Sequence, residues 1–185
     1  RMSNIRPRDV LDFWLKDTPS EKWFANDPAL DAHIRARFED TWRLGCAGGL
    51  KEWEHEPNGV LALIILFDQF PRNMFRGSGE AFASDSLARE IAKRAIAQKR
   101  DLEVPAAFRS FFYLPLTHSE NIADQEACVQ LTRERLGEDH STYPYTLLHK
   151  QAIERFGRFP ARNKALGRAS TAEEQEFLNH NPRGF

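Results

Sequence analysis

The chain has 185 residues, of which 41% are hydrophobic and 29% charged, and its 14 phenylalanines can supply a large apolar core. This composition excludes a disordered chain, because aromatic burial offsets the entropy lost on folding. The 26 basic and 27 acidic residues nearly cancel, so the net charge of -1 favours neither nucleic acid nor an anionic membrane as a partner. We expect one domain over residues 1–185, and we interpret Arg1, which precedes Met2, as a residue added for expression.

The cysteines and the apolar runs predict where the protein resides. Cys46 and Cys128 lack the paired spacing of thiolate metal sites and are too few for a secreted disulfide framework. The first residues lack the apolar core of a signal peptide. The longest apolar run, Val60–Phe67, is far shorter than the roughly 20 residues that span a bilayer. The sequence therefore predicts reduced thiols and a cytoplasmic protein.

Capping signals and helical periodicity place the first two helices. Pro7 suits the first turn of a helix whose apolar residues follow at positions 10–14. Asp27 can act as the N-cap of a second helix with Pro28 at its first position. Apolar residues then recur every four residues until Gly45, which is expected to end this helix.

The most apolar segment of the chain, Gly59–Phe70, is predicted to be a buried helix. Asn58 can cap it, and Pro71 is expected to end it. Because the segment is apolar on all sides, a buried strand is the alternative. A helix is favoured, since no other segment alternates between apolar and polar residues.

The remaining segments also read as helices. They run from a cap at Ser84 or Asp85 to about Ile96, from Pro105 to Leu114, and from Asn121 to Leu136. The next helix carries Tyr145 to Phe156 and is expected to end before Gly157, and a short last helix begins at Thr171, where Glu174 completes a capping box. Pro115 is expected to kink or break the chain. The sequence as a whole therefore predicts an all-α fold built as an antiparallel helical array.

A short motif occurs twice. Residues 67–73 read Phe-Asp-Gln-Phe-Pro-Arg-Asn, and residues 156–163 read Phe-Gly-Arg-Phe-Pro-Ala-Arg-Asn. Each copy is expected to end a helix at its proline and to hold an arginine and an asparagine on the loop beyond. If the two loops converge, their guanidinium groups would match the geometry of a carboxylate or phosphate.

The resulting candidate anion-binding residues are Arg72, Asn73, Arg76, Arg158, Arg162 and Asn163. The alternative is structural: Arg72 and Arg162 would satisfy carbonyls at helix C-termini and pair with Asp68.

A second candidate is the segment His118-Ser119-Glu120. Ser119 is a plausible N-cap for the next helix, and a helix N-terminus with nearby donors favours anions. His118 could act as a general base or acid, with Glu120 or Asp68 orienting it. The alternative is a helix cap beside a buried, hydrogen-bonded histidine.

Two further residues complete the predicted ligand-binding set. His149 shares a helical stripe with apolar residues and is expected to face the interior, and Trp23 could line a pocket, although bulky aromatics usually belong to the core. A metal site would need His118, Glu120, Asp124 and His149 to meet, but no paired-histidine motif supports one. We therefore predict no metal and, since no nucleotide fingerprint is present, no cofactor.

The motifs together resemble a known family. They are Lys22–Phe24, Leu66–Gly77, Tyr113–Leu116, His118–Glu120, Asp124–Gln125 and Arg155–Asn163, and they extend over nearly the whole chain. They resemble the bacterial family catalogued as domain of unknown function 924. The resemblance implies a helical fold similar to tetratricopeptide-repeat proteins and no established activity. The family pattern typically has a histidine where this chain has Ala161, so a catalytic role of that histidine would not extend to this chain.

Two functions are consistent with these residues. The first is a helical binding module whose concave face holds a small anion or an acidic peptide segment of a protein partner, with no nucleic acid or membrane involved. The alternative is a small-molecule enzyme in which His118 moves a proton, Asp68 or Glu120 orients it, and the arginines stabilise negative charge.

Overall fold

The computed structural model describes residues 4–184, so Arg1 lies outside the described residues. Over residues 4–184 the regular structure is helical and contains no strand, which confirms the all-α prediction. The chain forms two compact units, one comprising residues up to 76 together with 80–115, and the other comprising 77–79 together with 116 onward. The expectations of one domain and of a tetratricopeptide-repeat-like arrangement stay predictions. No helix within the described part of the chain is long and apolar enough to span a membrane.

Within the described residues, the first unit contains five α-helices connected by 3₁₀ and π-helical segments. The helices are α1 (Pro7–Leu11), α2 (Pro28–Cys46), α3 (Pro57–Ile64), α4 (Phe70–Met74) and α5 (Asp85–Ala97). The π-helical segments Asp12–Asp17 and Ile65–Gln69 continue α1 and α3. The 3₁₀ segments up to residue 112 are Ser20–Lys22, Lys51–His55, Gly79–Phe82, Arg100–Glu103 and Ala106–Phe112.

A short helix, α6 (Leu114–Thr117), carries the chain into the second unit. That unit contains α7 (Ile122–Arg135), α8 (Tyr143–Phe156), the 3₁₀ turn Pro160–Arg162 and α9 (Ala172–His180). The helices α7 and α8 pack against each other. Ala152, Ile153 and Phe159 form a buried apolar cluster, which ties the turn after α8 to the helix itself.

Aromatic side chains fill the core of the first unit. Phe70 lies 4.7 Å from Phe38 and 5.5 Å from Trp14, measured between ring centroids, and all three side chains are fully buried. Contacts of this kind add to the burial of apolar area. They hold α4, which begins at Phe70, against α2.

Three helix boundaries follow the predicted capping chemistry. The Asp27 carboxylate accepts the N–H groups of Ala29 and Leu30, both at 3.1 Å, at the start of α2. Thr171 and Glu174 form the predicted capping box of α9. Gly157 ends α8 with φ of 72°, a left-handed conformation that favours glycine.

The prediction for the apolar segment is wrong at both of its ends. The N-cap of α3 is Glu56 rather than Asn58, with Pro57 at the first helical position. Pro71 does not end the helix but lies in the first turn of α4. As a result, Arg72 and Asn73 are helical residues rather than loop residues.

The reason is a change in backbone hydrogen bonding ahead of the proline. In the π-helical segment the Phe70 N–H donates to the carbonyl of Ile65, five residues back. Pro71 has no N–H for the carbonyl of Phe67, four residues back. That carbonyl accepts a hydrogen bond from Ser84 Oγ at 2.7 Å, so the helix passes Pro71 without leaving a buried acceptor unpaired.

Two smaller predictions also need correction. The N-cap of α7 is Asn121, whose Oδ1 accepts the Ala123 N–H at 2.9 Å, and not Ser119. The helical structure is interrupted at Tyr113, between the 3₁₀ segment and α6, whereas Pro115 lies inside α6. A proline is tolerated in a first turn because its missing N–H would have no partner within the helix.

Candidate functional site

The first copy of the repeated motif is held by carboxylates of the first unit. Arg72 donates from both terminal nitrogens to Asp85, at 2.8 and 3.0 Å, and from Nη1 to the carbonyl of Asp68 at 2.6 Å. Burial opposes the charge on Arg72, but Asp68 and Asp85 outweigh it and raise the pKa of the guanidinium. Arg72 therefore joins α4 to the start of α5, and a ligand-binding role for Arg72 stays a prediction.

Asn73 and Arg76 have a common partner, Asp31 of α2. Asn73 Nδ2 donates to Asp31 at 2.9 Å, and Arg76 donates to both carboxylate oxygens at 2.7 and 3.0 Å. The hydrogen bonds that Arg76 donates to Asp31 raise the pKa of Arg76. These bonds connect the end of α4 to α2, and a ligand-binding role for Asn73 and Arg76 stays a prediction.

Asp68 and Trp23 are also placed by contacts within the first unit. Asp68 is fully buried and accepts a hydrogen bond from Gln69 Nε2 at 2.8 Å. Trp23 is half-buried, donates from Nε1 to the carbonyl of Trp14 at 2.8 Å, and meets the ring of Phe111 edge-on at 5.0 Å. Trp23 thus packs against core residues, and a ligand-binding role for it stays a prediction. Asp68 belongs to the first unit and His118 to the second, so their pairing stays a prediction.

The second copy follows the end of α8, as predicted, and its first arginine holds α9. Arg158 donates to both oxygens of Glu174 at 2.8 Å and to the carbonyl of Ala169 at 2.7 Å. Asn163 Nδ2 lies 3.4 Å from Glu174 Oε2. The hydrogen bond from Arg158 is the main reason that the pKa of Glu174 falls to about 2. Arg158 and Asn163 therefore act as structural ties.

Glu120 is bound to the same turn. Its Oε2 accepts the backbone N–H of Phe159 at 3.0 Å, and Arg168 Nη1 donates to both of its oxygens at 3.0 and 3.1 Å. Arg168 also reaches Asn163 Oδ1 at 3.0 Å and the carbonyl of Phe159 at 3.1 Å. The contacts of Glu120 thus fix the turn that follows α8.

Two nitrogen-bearing side chains lie against the Phe159 ring, and a third lies beside one of them. The ring of His149 meets the Phe159 ring edge-on at 5.5 Å, and the Arg162 guanidinium lies 4.7 Å from the same ring centroid. The His118 ring lies 6.3 Å from the His149 ring, and Arg162 Nη2 donates to the His118 carbonyl at 2.8 Å. Both histidines are half-buried. We call His118, His149 and Arg162 the cationic cluster.

The comparison with known proteins identifies the family. A family model described as a bacterial protein of unknown function, DUF924, matches residues 10–182. The chain belongs to the DUF924 family. This membership confirms the resemblance carried by the sequence motifs. A solved structure from Agrobacterium tumefaciens, titled as a protein of unknown function, is 41% identical, with 94% of this chain and 97% of that chain covered and a TM-score of 0.88. None of the curated proteins compared matches the chain.

The tautomer of His149 in this DUF924 protein follows from its contacts. His149 Nδ1 lies 2.7 Å from the carbonyl of Tyr145, one helical turn back in α8. A carbonyl oxygen only accepts hydrogen bonds, so Nδ1 carries a proton. This bond fixes the direction of the imidazole relative to α8.

A buried side-chain amide holds the backbone on either side of His118. Gln125 Nε2 donates to the carbonyls of Thr117 and Ser119, each at 2.7 Å. Ser119 Oγ donates to Asp124 at 2.6 Å and accepts the N–H of Asn121 at 3.2 Å. Ser119 and Gln125 are almost completely buried, so they position His118 from beneath rather than offering a surface to a ligand.

The metal alternative has no geometric support in this DUF924 chain. Among residues 4–184, no three or more His, Cys, Asp or Glu side chains are grouped as a metal site requires. The set that would have formed one includes Glu120 and Asp124, and these carboxylates bind Arg168 and Ser119 instead.

Arg168 is the residue of this region that sequence reasoning missed. It lies beyond the repeated motif, after Gly167, and belongs to no recognisable pattern. Its partners include Glu120, 48 residues earlier in the chain. Ala161, at the position where the family pattern has a histidine, is exposed on the 3₁₀ turn Pro160–Arg162.

Proposed function

We propose that this DUF924 protein is a binding module for a small anion or an acidic peptide segment, and that the cationic cluster of the second unit makes the contacts. The observation that carries the proposal is the packing of His149 and Arg162 against Phe159, with the His118 ring 6.3 Å from the His149 ring. A guanidinium is a donor that oxyanions prefer, and a protonated imidazole donates from both of its ring nitrogens.

The three side chains come from different segments of the second unit, and the contacts that hold each segment support a preorganised site. His118 comes from the segment between α6 and α7, His149 from α8, and Arg162 from the turn after α8. Each is held by a backbone contact, through the Gln125 amide, the Tyr145 carbonyl or the His118 carbonyl. Donors that are fixed before the ligand arrives lose little entropy when they bind it.

The nearby carboxylate does not oppose an anion strongly. Glu120 Oε1 lies 3.8 Å from Arg162 Nη1 but only 3.0 Å from Arg168 Nη1. Because Arg168 donates to both oxygens of Glu120, it offsets most of that negative charge. The guanidinium of Arg162 therefore adds positive charge to the face that it forms with the histidines.

The experiment compares two histidines that make the same local contact. His149 and His180 each place Nδ1 against the carbonyl four residues back in a helix, at 2.7 and 3.0 Å, but only His149 belongs to the cationic cluster. Wild type, His149→Gln and the control His180→Gln are heated with inorganic phosphate, short dicarboxylates and a glutamate-rich peptide. A ligand that binds the folded state raises Tm.

We expect at least one of these anions to raise the Tm of the wild type and of His180→Gln, and the shift to be largely lost in His149→Gln. Each variant is compared with its own ligand-free Tm, so a change in basal stability does not affect the result. If no anion raises the Tm of the wild type, or if His149→Gln retains the full shift, the cationic cluster is not an anion site.

The enzyme alternative has weaker support. Both oxygens of Glu120 bind Arg168 and one also binds the Phe159 N–H, so the known contacts of Glu120 orient the turn after α8 rather than His118. A hydrolytic activity that His118→Asn abolishes without lowering Tm would favour this alternative.

We also propose a cytoplasmic location. Cys46 is exposed and Cys128 is buried beside Thr117, and neither forms a disulfide within the described structure. An exposed free thiol is typical of a reducing compartment.

A further inference from the structure

The first unit contains a small pocket that shares no residue with the cationic cluster. Its volume is about 160 Å³, and α3, α5 and the 3₁₀ segments Lys51–His55 and Arg100–Glu103 supply its lining. This volume corresponds to roughly five water molecules at about 30 Å³ each. A ligand of a few non-hydrogen atoms fits such a space, whereas a nucleotide does not.

The charges on the lining do not cancel. Arg94 Nη2 donates to Glu54 Oε1 at 2.6 Å, which pairs one guanidinium with the carboxylate of the lining. Arg100 Nη1 donates to the backbone carbonyl of Glu54 at 2.7 Å, and a carbonyl carries no net charge. Within residues 4–184 this is the sole hydrogen bond of the Arg100 side chain. The remaining N–H groups of Arg100 are therefore available to an anion.

The rest of the lining is mainly apolar. Val60 of α3 and Ile91 and Ala95 of α5 line the pocket with side chains that are at most 6% exposed. Gln98, directly after α5, adds an amide. The pocket therefore combines one uncompensated guanidinium with a short apolar wall, and these features match a ligand with an anionic head and a small hydrocarbon tail.

We propose that this pocket binds a small aliphatic carboxylate. The carboxylate accepts hydrogen bonds from Arg100, whose fork matches its two oxygens, and the tail packs against Val60, Ile91 and Ala95. A free short-chain acid and the C-terminal residue of a peptide share this chemistry. The proposal does not depend on the cationic cluster.

The experiment titrates the isotope-labelled wild-type protein with butyrate and follows the side-chain NMR signals of Gln98 and Arg100. We expect both to shift and saturate. Across acetate, propionate and butyrate, affinity should increase by up to about fourfold per methylene, which is the effect of burying one methylene group. Butyramide, which has the tail without the charge, and inorganic phosphate, which has charge without a tail, should bind at least about tenfold more weakly.

Two variants separate a specific contact from general charge. Arg100→Gln should weaken butyrate binding about tenfold or more, since it removes a charge-assisted hydrogen bond. Lys51→Gln removes the same charge from an exposed residue of the segment Lys51–His55 that does not line the pocket, and it should leave binding unchanged. The melting curve of each variant establishes that it is folded.

Several results would overturn the proposal: no saturable shift with butyrate, equal binding of butyramide, equal binding of phosphate, or equal weakening in Lys51→Gln. The wild-type series decides the question even if Arg100→Gln fails to fold. The dipeptide Ala-Val, with a free or an amidated C-terminus, identifies the source of the carboxylate. Tighter binding of the free form than of butyrate indicates a peptide terminus, and weaker binding indicates a free acid.

Discussion

Single charged residues act mainly by joining helices, and Glu174, which accepts from Arg158 of the repeated motif, shows this most clearly. Its side chain is 2% exposed and accepts bonds from Arg158, Asn163 and its own capping box. A carboxylate can remain ionised in such a position because these donors stabilise its charged form. The pKa of Glu174 is consequently about 2, below its ordinary value of 4.5.

The lowered pKa makes the contribution of Glu174 depend on pH. Above about pH 4.5 the carboxylate is ionised in both the folded and unfolded chain, and its stabilisation is fully present. As the pH falls from about 4.5 to about 2, the unfolded chain takes up the proton first and the stabilisation is lost. We expect Glu174→Gln to lower the free energy of unfolding by about 2 kcal/mol at pH 7. Urea unfolding should show this difference shrinking toward pH 3.

The neighbouring residue provides the control. Glu173 is paired with Arg155 at 2.8 Å, but both side chains are at least half exposed. Exposed pairs contribute little, so Glu173→Gln should change the free energy of unfolding by less than about 1 kcal/mol, with no comparable pH dependence. Equal effects of the two substitutions would show that the Arg158 contact does not stabilise the fold.

The helical elements show which features the sequence predicts well. Three capping signals involve only residues close together in the sequence, and all three helix boundaries were predicted correctly. They are Asp27 with Pro28, Thr171 with Glu174, and the glycine after α8. Pro71 was misread as a helix end. Its missing N–H leaves the Phe67 carbonyl without a helical partner, and Ser84, 17 residues further along the chain, donates to that carbonyl instead. A periodic pattern does not reveal such a partner.

Ser84 therefore has a testable role in the helical stretch that ends at Met74. Its buried hydroxyl donates to the Phe67 carbonyl at 2.7 Å and accepts from Trp42 Nε1 at 2.8 Å. Ser84→Ala leaves two buried polar groups unpaired, so we expect it to lower the free energy of unfolding by about 3 kcal/mol in urea titration. Ser86→Ala, on the exposed face of α5, should change stability by less than about 0.5 kcal/mol. A small effect at Ser84 would mean that another group satisfies the Phe67 carbonyl.

Across the whole chain, the sequence predicted the helices and the family better than the site. Helices follow from local periodicity, whereas the partners of the motif arginines come from distant segments: Asp31 lies 45 residues from Arg76, and His118 lies 44 residues from Arg162. Pairing over such separations depends on the fold, so the sequence identifies these arginines as candidates without showing which groups accept their hydrogen bonds. The cationic cluster brings three residues of the predicted set together within the second unit.

The near balance of charge has a consequence at the scale of the whole molecule. With 26 basic and 27 acidic residues, the isoelectric point is about 6.7. Near that pH the net repulsion between copies of the protein nearly disappears, and attraction between their surfaces is opposed least. We expect solubility in polyethylene glycol to pass through a minimum between about pH 6 and pH 7.5 and to rise on either side. A solubility that changes in one direction across this range would show that a local patch, rather than net charge, controls association between copies.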